Sequence, residues 1–228
     1  MIKGISKIFI CGVFFLISVA SFGCDSSDTT LNTDESGQLL AYIDGTAYYY
    51  DPVYLFDFAY AAMPQEPDRE DKATALNWEL SCLESQAAGE KVPSTWVESQ
   101  IYERKYEAEH WPESIEEQRA SVENNDTPEN REQLEYLEEY YQRYTELWDQ
   151  RLQEYGDEDK YYEAIKPAIE KYYYCFKYTS ALIEEYLELV RSGAAPVEDR
   201  ESYILKDFPE LVEKYKVELV DEELKSLI

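Results

Sequence analysis

The sequence contains little histidine, little glycine and few basic residues. His110 is the single histidine among 228 residues, glycine occurs 8 times, and 21 Lys and Arg stand against 49 Asp and Glu. A nucleic-acid-binding protein needs a basic face to neutralise phosphates, so a net charge of −28 argues against a nucleic-acid partner. No Gly-x-Ser-x-Gly or other nucleophile motif accompanies His110, which is expected to be an exposed loop residue. We therefore expect a protein that is not an enzyme.

Metal-binding patterns are also missing. Residues 157–160, DEDK, lack the D-x-[DN]-x-[DN]-G spacing of a calcium loop, and an acidic helix start explains them. Adjacent acids such as Glu116-Glu117 and Glu138-Glu139 are expected by chance among 49 acidic residues, so they do not indicate a glycosidase pair. The sequence predicts no metal and no cofactor.

The N-terminus has the pattern of an export signal. Lys3 and Lys7 precede an apolar run at residues 8–20, which is shorter than the roughly 20 residues that a membrane-spanning helix needs. The string that follows, residues 21–24, SFGC, resembles the lipobox of bacterial lipoproteins, in which signal peptidase II cuts before the cysteine and diacylglycerol is attached to its sulfur. This resemblance implies a signal peptide at 1–23, a lipid anchor on Cys24, and a location on the extracytoplasmic face of a bacterial cell membrane.

The predicted signal peptide leaves a tether and one folded domain. Residues 24–38 are polar and rich in Ser, Thr and Asp, so they cannot bury enough apolar surface to fold, and the domain spans residues 39–228. Cys11 lies in the signal and Cys24 at the lipid site. The remaining pair, Cys82 and Cys175, falls on predicted helices, where a helix-to-helix disulfide and two buried thiols are equally compatible with the sequence.

The first half of the domain begins with strands and continues with helices. Asp44-Gly45 predicts a β-hairpin over residues 39–50, because this dipeptide suits a turn with positive φ at both positions. Three helices are expected next, starting at Asp51-Pro52, at Asp68 and at Thr95, the last with Glu98 completing a capping box. Residues 109–126 are mixed in character and predict a broken helix or a loop.

The second half predicts a long helical hairpin at about residues 127–192. Its first helix begins at Thr127-Pro128 and ends at Gly156, and the apolar residues of the second recur at steps of three and four, which is typical of antiparallel partners. Pro167 must kink or divide that second helix. A last helix near residues 202–215 and a strand at 216–220 follow, and this strand is expected to pair with the opening hairpin. The fold class is therefore mainly α with a small β element.

The order of these blocks is similar to that of a chaperone family. AYIDGTAYYYDPVYLFDFA, residues 41–59, resembles the opening of SurA, PrsA and trigger-factor type domains, and residues 80–101 and 151–186 resemble the blocks that follow. The resemblance implies a helical SurA N-terminal or trigger-factor-like domain that binds extended or unfolded polypeptide without catalysis. The parvulin isomerase domain inserted in that family, with its active-site histidines, is missing, so isomerase activity is not implied.

Aromatic residues are plentiful on the two long helices, and two explanations are open. Tyrosines can fill a core whose rim is wet, with the hydroxyl reaching water, or the rings can line an open groove that holds segments of a client protein. The candidate client-binding residues are Tyr140, Tyr141, Tyr144, Trp148, Tyr172 and Tyr173. The expected partners are the membrane, through the lipid anchor, and either exported polypeptide clients or, for an adaptor, one folded protein at the cell surface.

Overall fold

The computed structural model describes residues 37–194 and 203–228. Within these ranges the chain forms seven helices and a small three-stranded antiparallel sheet, so the predicted mainly α fold with a small β element is confirmed. The strands are β1 (Gln38–Ile43), β2 (Thr46–Tyr50) and β3 (Glu218–Leu219). The helices are α1 (Pro52–Ala59), α2 (Arg69–Ala87), α3 (Trp96–Asn124), α4 (Pro128–Tyr155), α5 (Glu158–Arg191), α6 (Phe208–Lys214) and α7 (Glu222–Lys225). The predicted signal peptide, lipid site Cys24 and most of the tether lie outside the described residues.

The sheet has the order β2-β1-β3, with β1 in the centre. Asp44 and Gly45 form the β1–β2 turn with φ of 47° and 82°, as the sequence predicts. β3 pairs with β1 antiparallel, with Ala41 opposite Leu219. The predicted return of the C-terminal strand to the opening hairpin is thus confirmed.

Most helix starts follow from capping residues that the sequence displays. The Asp51 side chain accepts a hydrogen bond from the Val53 amide at the start of α1, and the Thr127 side chain accepts one from the Asn130 amide at the start of α4. Asp68 caps α2 in a reciprocal arrangement with Asp71. These bonds satisfy amides that have no partner within the helix, which explains why these helices begin where they do.

Helix α3 corrects two predictions. It runs without interruption from Trp96 to Asn124 with Pro112 inside, so the broken helix or loop predicted at 109–126 is wrong. The side chain of Thr95 makes no capping hydrogen bond, so the capping box with Glu98 is wrong as well. Trp111 and Ile115, on either side of the proline, are buried against α4, and this packing offsets the hydrogen bond that Pro112 removes.

The two long helices of the predicted hairpin are both present, and each also packs on another helix. α5 is one helix that Pro167 does not divide, and its most extensive contact is with α2. α4 makes its most extensive contact with α3 and meets α5 through rings near the Gly156 turn. The last predicted helix begins outside the described residues and appears here as α6.

The buried side chains form two large cores and one small one. The sheet core packs the strands against α2, α6 and α7 and contains Leu40, Leu76, Leu80 and Phe208. The four-helix core joins α1, α3, α4 and α5 around Phe56, Tyr144, Tyr161 and Ile169. The third core is much smaller and consists of Trp111, Ile115 and Leu137. This small core lies between α3 and α4, where most neighbouring residues are exposed or partly buried.

Candidate functional site

We define the arm as residues 111–141, the second half of α3, the short connection to α4 and the first half of α4. Its buried residues are Trp111 and Ile115 of α3 and Leu137 of α4, and the partly buried hydrophobic side chains packed against them all lie on α4. Between Glu116 and Tyr136 every residue is exposed or only partly buried. The arm is therefore a two-helix extension that is stabilised mainly by its own small core.

A groove of about 520 Å³ runs between the two helices at the base of the arm. Its lining residues are Pro112, Ile115, Glu116, Arg119, Glu138, Tyr141, Gln142 and Thr145. Arg119 connects the walls, because its guanidinium contacts Glu116 of α3 and donates to Glu138 of α4 at 2.7 and 3.0 Å. The groove thus combines a partly apolar floor with charged edges.

The arm is strongly acidic. Its sequence has ten Asp and Glu and two Arg, a net charge of −8. Arg119 is paired as described, and Arg131 is paired with Asp126 at 2.9 Å. A dense set of like charges on a thin extension attracts cations and basic protein surfaces over roughly a Debye length.

Two exposed tyrosines lie on α3 before the arm. Tyr102 is 71% and Tyr106 is 52% exposed, and Tyr106 stacks on His110 with ring centroids 3.9 Å apart. His110 is in a helix, so the prediction of a loop histidine is wrong, and its Nδ1 lies 2.7 Å from the Tyr106 carbonyl oxygen. These rings are not among the candidate residues predicted from the sequence. Their spacing of four residues, on a different side of α3 from Ile101 and Ala108, is the pattern that indicates a shared exposed face.

The candidate aromatic residues on α4 and α5 are spread over the cores. Tyr144 is 3% exposed, and its hydroxyl is hydrogen-bonded to that of Tyr60. Trp148 packs on Tyr161 and Tyr162 in the four-helix core. Tyr140 is half-buried, and its hydroxyl accepts a hydrogen bond from the Ala62 amide. These contacts are those of core residues with a polar rim.

The remaining candidates are divided between two places. Tyr172 and Tyr173 are half-buried beside Trp96. Tyr141 is half-buried and lines the groove of the arm. The six candidates therefore do not share one open surface, and client binding by them stays a prediction.

A buried charge network fixes the base of the arm. Arg104 donates to the carbonyl oxygens of Asp57 and Phe58 at 2.8 and 2.7 Å, while Arg151 pairs with the Asp57 carboxylate. Burial raises the pKa of Asp57 to about 6, against the opposing attraction of Arg151. On α3, burial and the neighbouring Glu103 raise the pKa of Glu107 to about 7. Asp57 and Glu107 therefore titrate closer to neutrality than an ordinary Asp or Glu carboxyl.

Neither metal ligation nor a transmembrane helix is seen in the described part of the chain. Residues 37–194 and 203–228 contain no group of three or more His, Cys, Asp or Glu side chains arranged to hold a metal ion. The same ranges include no helix long and apolar enough to cross a membrane. Asp157 of the acidic DEDK stretch caps α5 by accepting from the Lys160 amide at 2.9 Å, the helix-start role expected from the sequence.

Comparison with known proteins adds no family to this description. No protein-family model, no curated protein and no solved structure matches the chain. The resemblance to SurA and trigger-factor type domains therefore remains a prediction from the sequence blocks.

Proposed function

We propose that this protein is a lipid-anchored extracytoplasmic protein that binds other polypeptides through its acidic arm and catalyses no reaction. The observation that carries the proposal is the net charge of −8 on the arm, where Arg119 and Arg131 are both engaged by carboxylates. The predicted lipid on Cys24 would hold the molecule at the outer face of the cytoplasmic membrane. The partner is a polypeptide that presents Lys and Arg to the arm.

The groove supports docking of a defined partner segment. It has a volume of about 520 Å³, which suits a few side chains, and it offers Pro112 and Tyr141 for apolar contact between Glu116 and Glu138. A basic side chain entering the groove would compete with Arg119 for these carboxylates. Charge complementarity of this kind favours specificity and fast association. An adaptor that docks one surface partner is therefore the mode that the geometry supports best.

Chaperone-like holding of unfolded or extended polypeptides is the second mode, as the family resemblance implies. The exposed rings of Tyr102 and Tyr106 favour it, because large aromatic side chains give adaptable contact area to varied segments. The burial of Tyr144 and the half-buried state of the other candidate rings leave this mode with less aromatic surface than an open groove lined by all six rings would offer.

Photo-crosslinking in cells distinguishes the two modes. Photoreactive phenylalanine is placed at Gln142, an exposed residue that lines the groove, and separately at Tyr102 of the full chain. An adaptor should give one dominant crosslinked product at Gln142, whereas a chaperone should give many products at Tyr102. The same probe at Leu187, an exposed position on α5 with 40% exposure, is the control for random collision. Crosslinking at Gln142 and Tyr102 that is no greater than at Leu187 would contradict both modes.

A charge variant tests the role of the arm directly. The arm variant replaces three exposed glutamates by glutamine, namely Glu113, Glu117 and Glu135. The matched control replaces three exposed glutamates elsewhere, namely Glu184, Glu188 and Glu210. The yield of crosslinked product should fall several-fold in the arm variant and hardly change in the control. Both variants lose the same net charge, so a difference between them reports where the charge lies. Equal loss in the two variants would indicate general electrostatics and would argue against the arm as the site.

A further inference from the structure

Helices α2 and α5 approach each other closely along a short shared stretch. The Ser85 hydroxyl on α2 donates to the Tyr174 carbonyl oxygen on α5 at 2.7 Å, and the Cys82 thiol lies 3.5 Å from the Lys171 carbonyl oxygen. Cys175 is one helical turn after Lys171. These contacts set Cys82 against the turn of α5 that carries Cys175.

Both cysteine side chains are enclosed by the protein. Cys82 is 0% and Cys175 is 1% exposed, they are free thiols in this structure, and they belong to the same sheet core. Burial, together with the hydrogen-bonding Cys82 side chain next to it, raises the pKa of the Cys175 thiol. The two thiols are therefore neighbours between packed helices, and closeness of the two side chains is the first condition for a disulfide.

We propose that Cys82 and Cys175 form a disulfide bond in an oxidising compartment. The inference rests on the export that the proposed function includes. The reaction is thiol–disulfide exchange with a protein or small-molecule disulfide: one S–S bond forms between Cys82 and Cys175, the S–S bond of the oxidant breaks, and two electrons and two protons pass to the oxidant, which leaves as two thiols. Cys11 and Cys24 do not compete if the first is removed with the signal and the second carries lipid.

The enclosure of the thiols determines when the bond forms. Exchange needs a thiolate that an oxidant can reach, and a buried thiol with a raised pKa provides neither. The bond therefore forms before α2 and α5 finish packing. It then joins residues that are 93 positions apart, and the loop that it closes contains all of α3 and α4.

Oxidative refolding tests this bond independently of export. The full chain with Cys11→Ser and Cys24→Ser is unfolded in reductant, refolded in a glutathione redox buffer, alkylated and digested with trypsin. We expect the tryptic peptides 73–91 and 172–177 joined by a disulfide, with a mass 2 Da below the sum of the two free peptides. Recovery of both peptides alkylated would overturn the proposal, because the geometry would then not support the bond even with an oxidant present.

The native lipoprotein provides the second test. The same linked peptides are expected in protein made in a bacterial cell with its own signal, and the melting temperature should fall by about 5–15 °C on reduction. The Cys82→Ala/Cys175→Ala variant is the control, and reductant should not change its melting temperature. Protease accessibility in intact cells reports export separately. Exported protein with both cysteines alkylated would overturn the disulfide, whereas protein that is not exported would count against the proposed location alone.

Discussion

Arg151 and Asp57 form a buried ion pair that joins α4 to α1. The Arg151 Nε donates to Asp57 Oδ1 at 3.0 Å, a second bond links Nη2 to Oδ2, and the side chains are 9% and 11% exposed. Two parallel bonds between a guanidinium and a carboxylate fix orientation as well as distance. Because Arg104 of α3 also binds the backbone of α1 here, the base of the arm has a defined geometry.

Removing Arg151 should be strongly destabilising. Arg151→Met leaves the Asp57 carboxylate buried without its main partner, and breaking a buried pair in this way costs about 3–5 kcal/mol of unfolding free energy. The measurement is urea denaturation at pH 7. Arg131→Met, which removes an exposed arginine on the same helix, should cost less than about 1 kcal/mol. Similar losses in the two variants would show that the burial of the pair has little energetic importance.

Glu107 should make the protein more stable in mild acid than at pH 8. Its folded pKa of about 7 is above the ordinary value of 4.5, so the fold favours the protonated form. The stability that this residue contributes is full below about pH 4.5 and is lost as the pH rises towards 7. Glu107→Gln should therefore stabilise the protein at pH 8 by about 1–3 kcal/mol and change it little at pH 4.5.

The matched control for this pH dependence is Glu109→Gln, an exposed glutamate on the same helix. Its unfolding free energy should follow that of the parent protein at both pH values. Asp57 contributes in the same direction as Glu107, so part of the pH dependence will persist in Glu107→Gln. An unchanged slope in that variant would mean that Glu107 is ionised as easily in the folded as in the unfolded protein.

Leu137→Ala should unfold the arm while the rest of the described chain, which we call the body, remains folded. Leu137 is one of the three buried residues of the small core, and removing a buried leucine side chain costs about 2–5 kcal/mol. Hydrogen exchange should become fast for residues 115–137 and stay slow in α2. Leu80→Ala, a change in the sheet core, is the control and should lower protection across the body. Loss of protection in α2 with Leu137→Ala would contradict an independently stabilised arm.

Gly45→Ala should destabilise the hairpin by about 1 kcal/mol. Gly45 has φ of 82°, a region that alanine adopts at a cost, although a Cβ there would meet no atom within 4 Å. Thermal unfolding measures the loss. Asp44→Asn is the control and should be tolerated, because asparagine also adopts positive φ readily. A neutral Gly45→Ala would indicate that the turn can change its conformation without cost.

The parts of the fold that depend on local chemistry could be predicted from the sequence. Asp44-Gly45 forms a tight turn, Thr127 and Pro128 start a helix, and Gly156 ends it in a left-handed conformation. Each of these features depends only on the residue itself and its neighbours in the sequence. The parts that depend on contacts between distant residues could not. Helix α3 continues through Pro112 because Trp111 and Ile115 pack on Leu137 of α4. The sequence around Pro112 does not reveal this contact with a distant residue.

The candidate site was less accessible to prediction for the same reason. Periodicity places Tyr144 and Trp148 on one face of α4, but it does not say whether another helix covers that face. Here α1 and α5 cover it, with Phe56 packed on Tyr144 and Tyr161 on Trp148. The acidity of the arm is readable from the sequence once its limits are known. Those limits follow from tertiary packing.

The central position of β1 has a mechanical consequence. Tension applied through the residues before Gly37 enters the molecule at the strand that is bonded on both sides, to β2 and to β3. Pulling on the chain at Gly37 therefore has to shear two ladders of hydrogen bonds at once, one of them formed with β3 near the C-terminal end of the chain. A force acting between Gly37 and the far end of the molecule would therefore pass through this sheet.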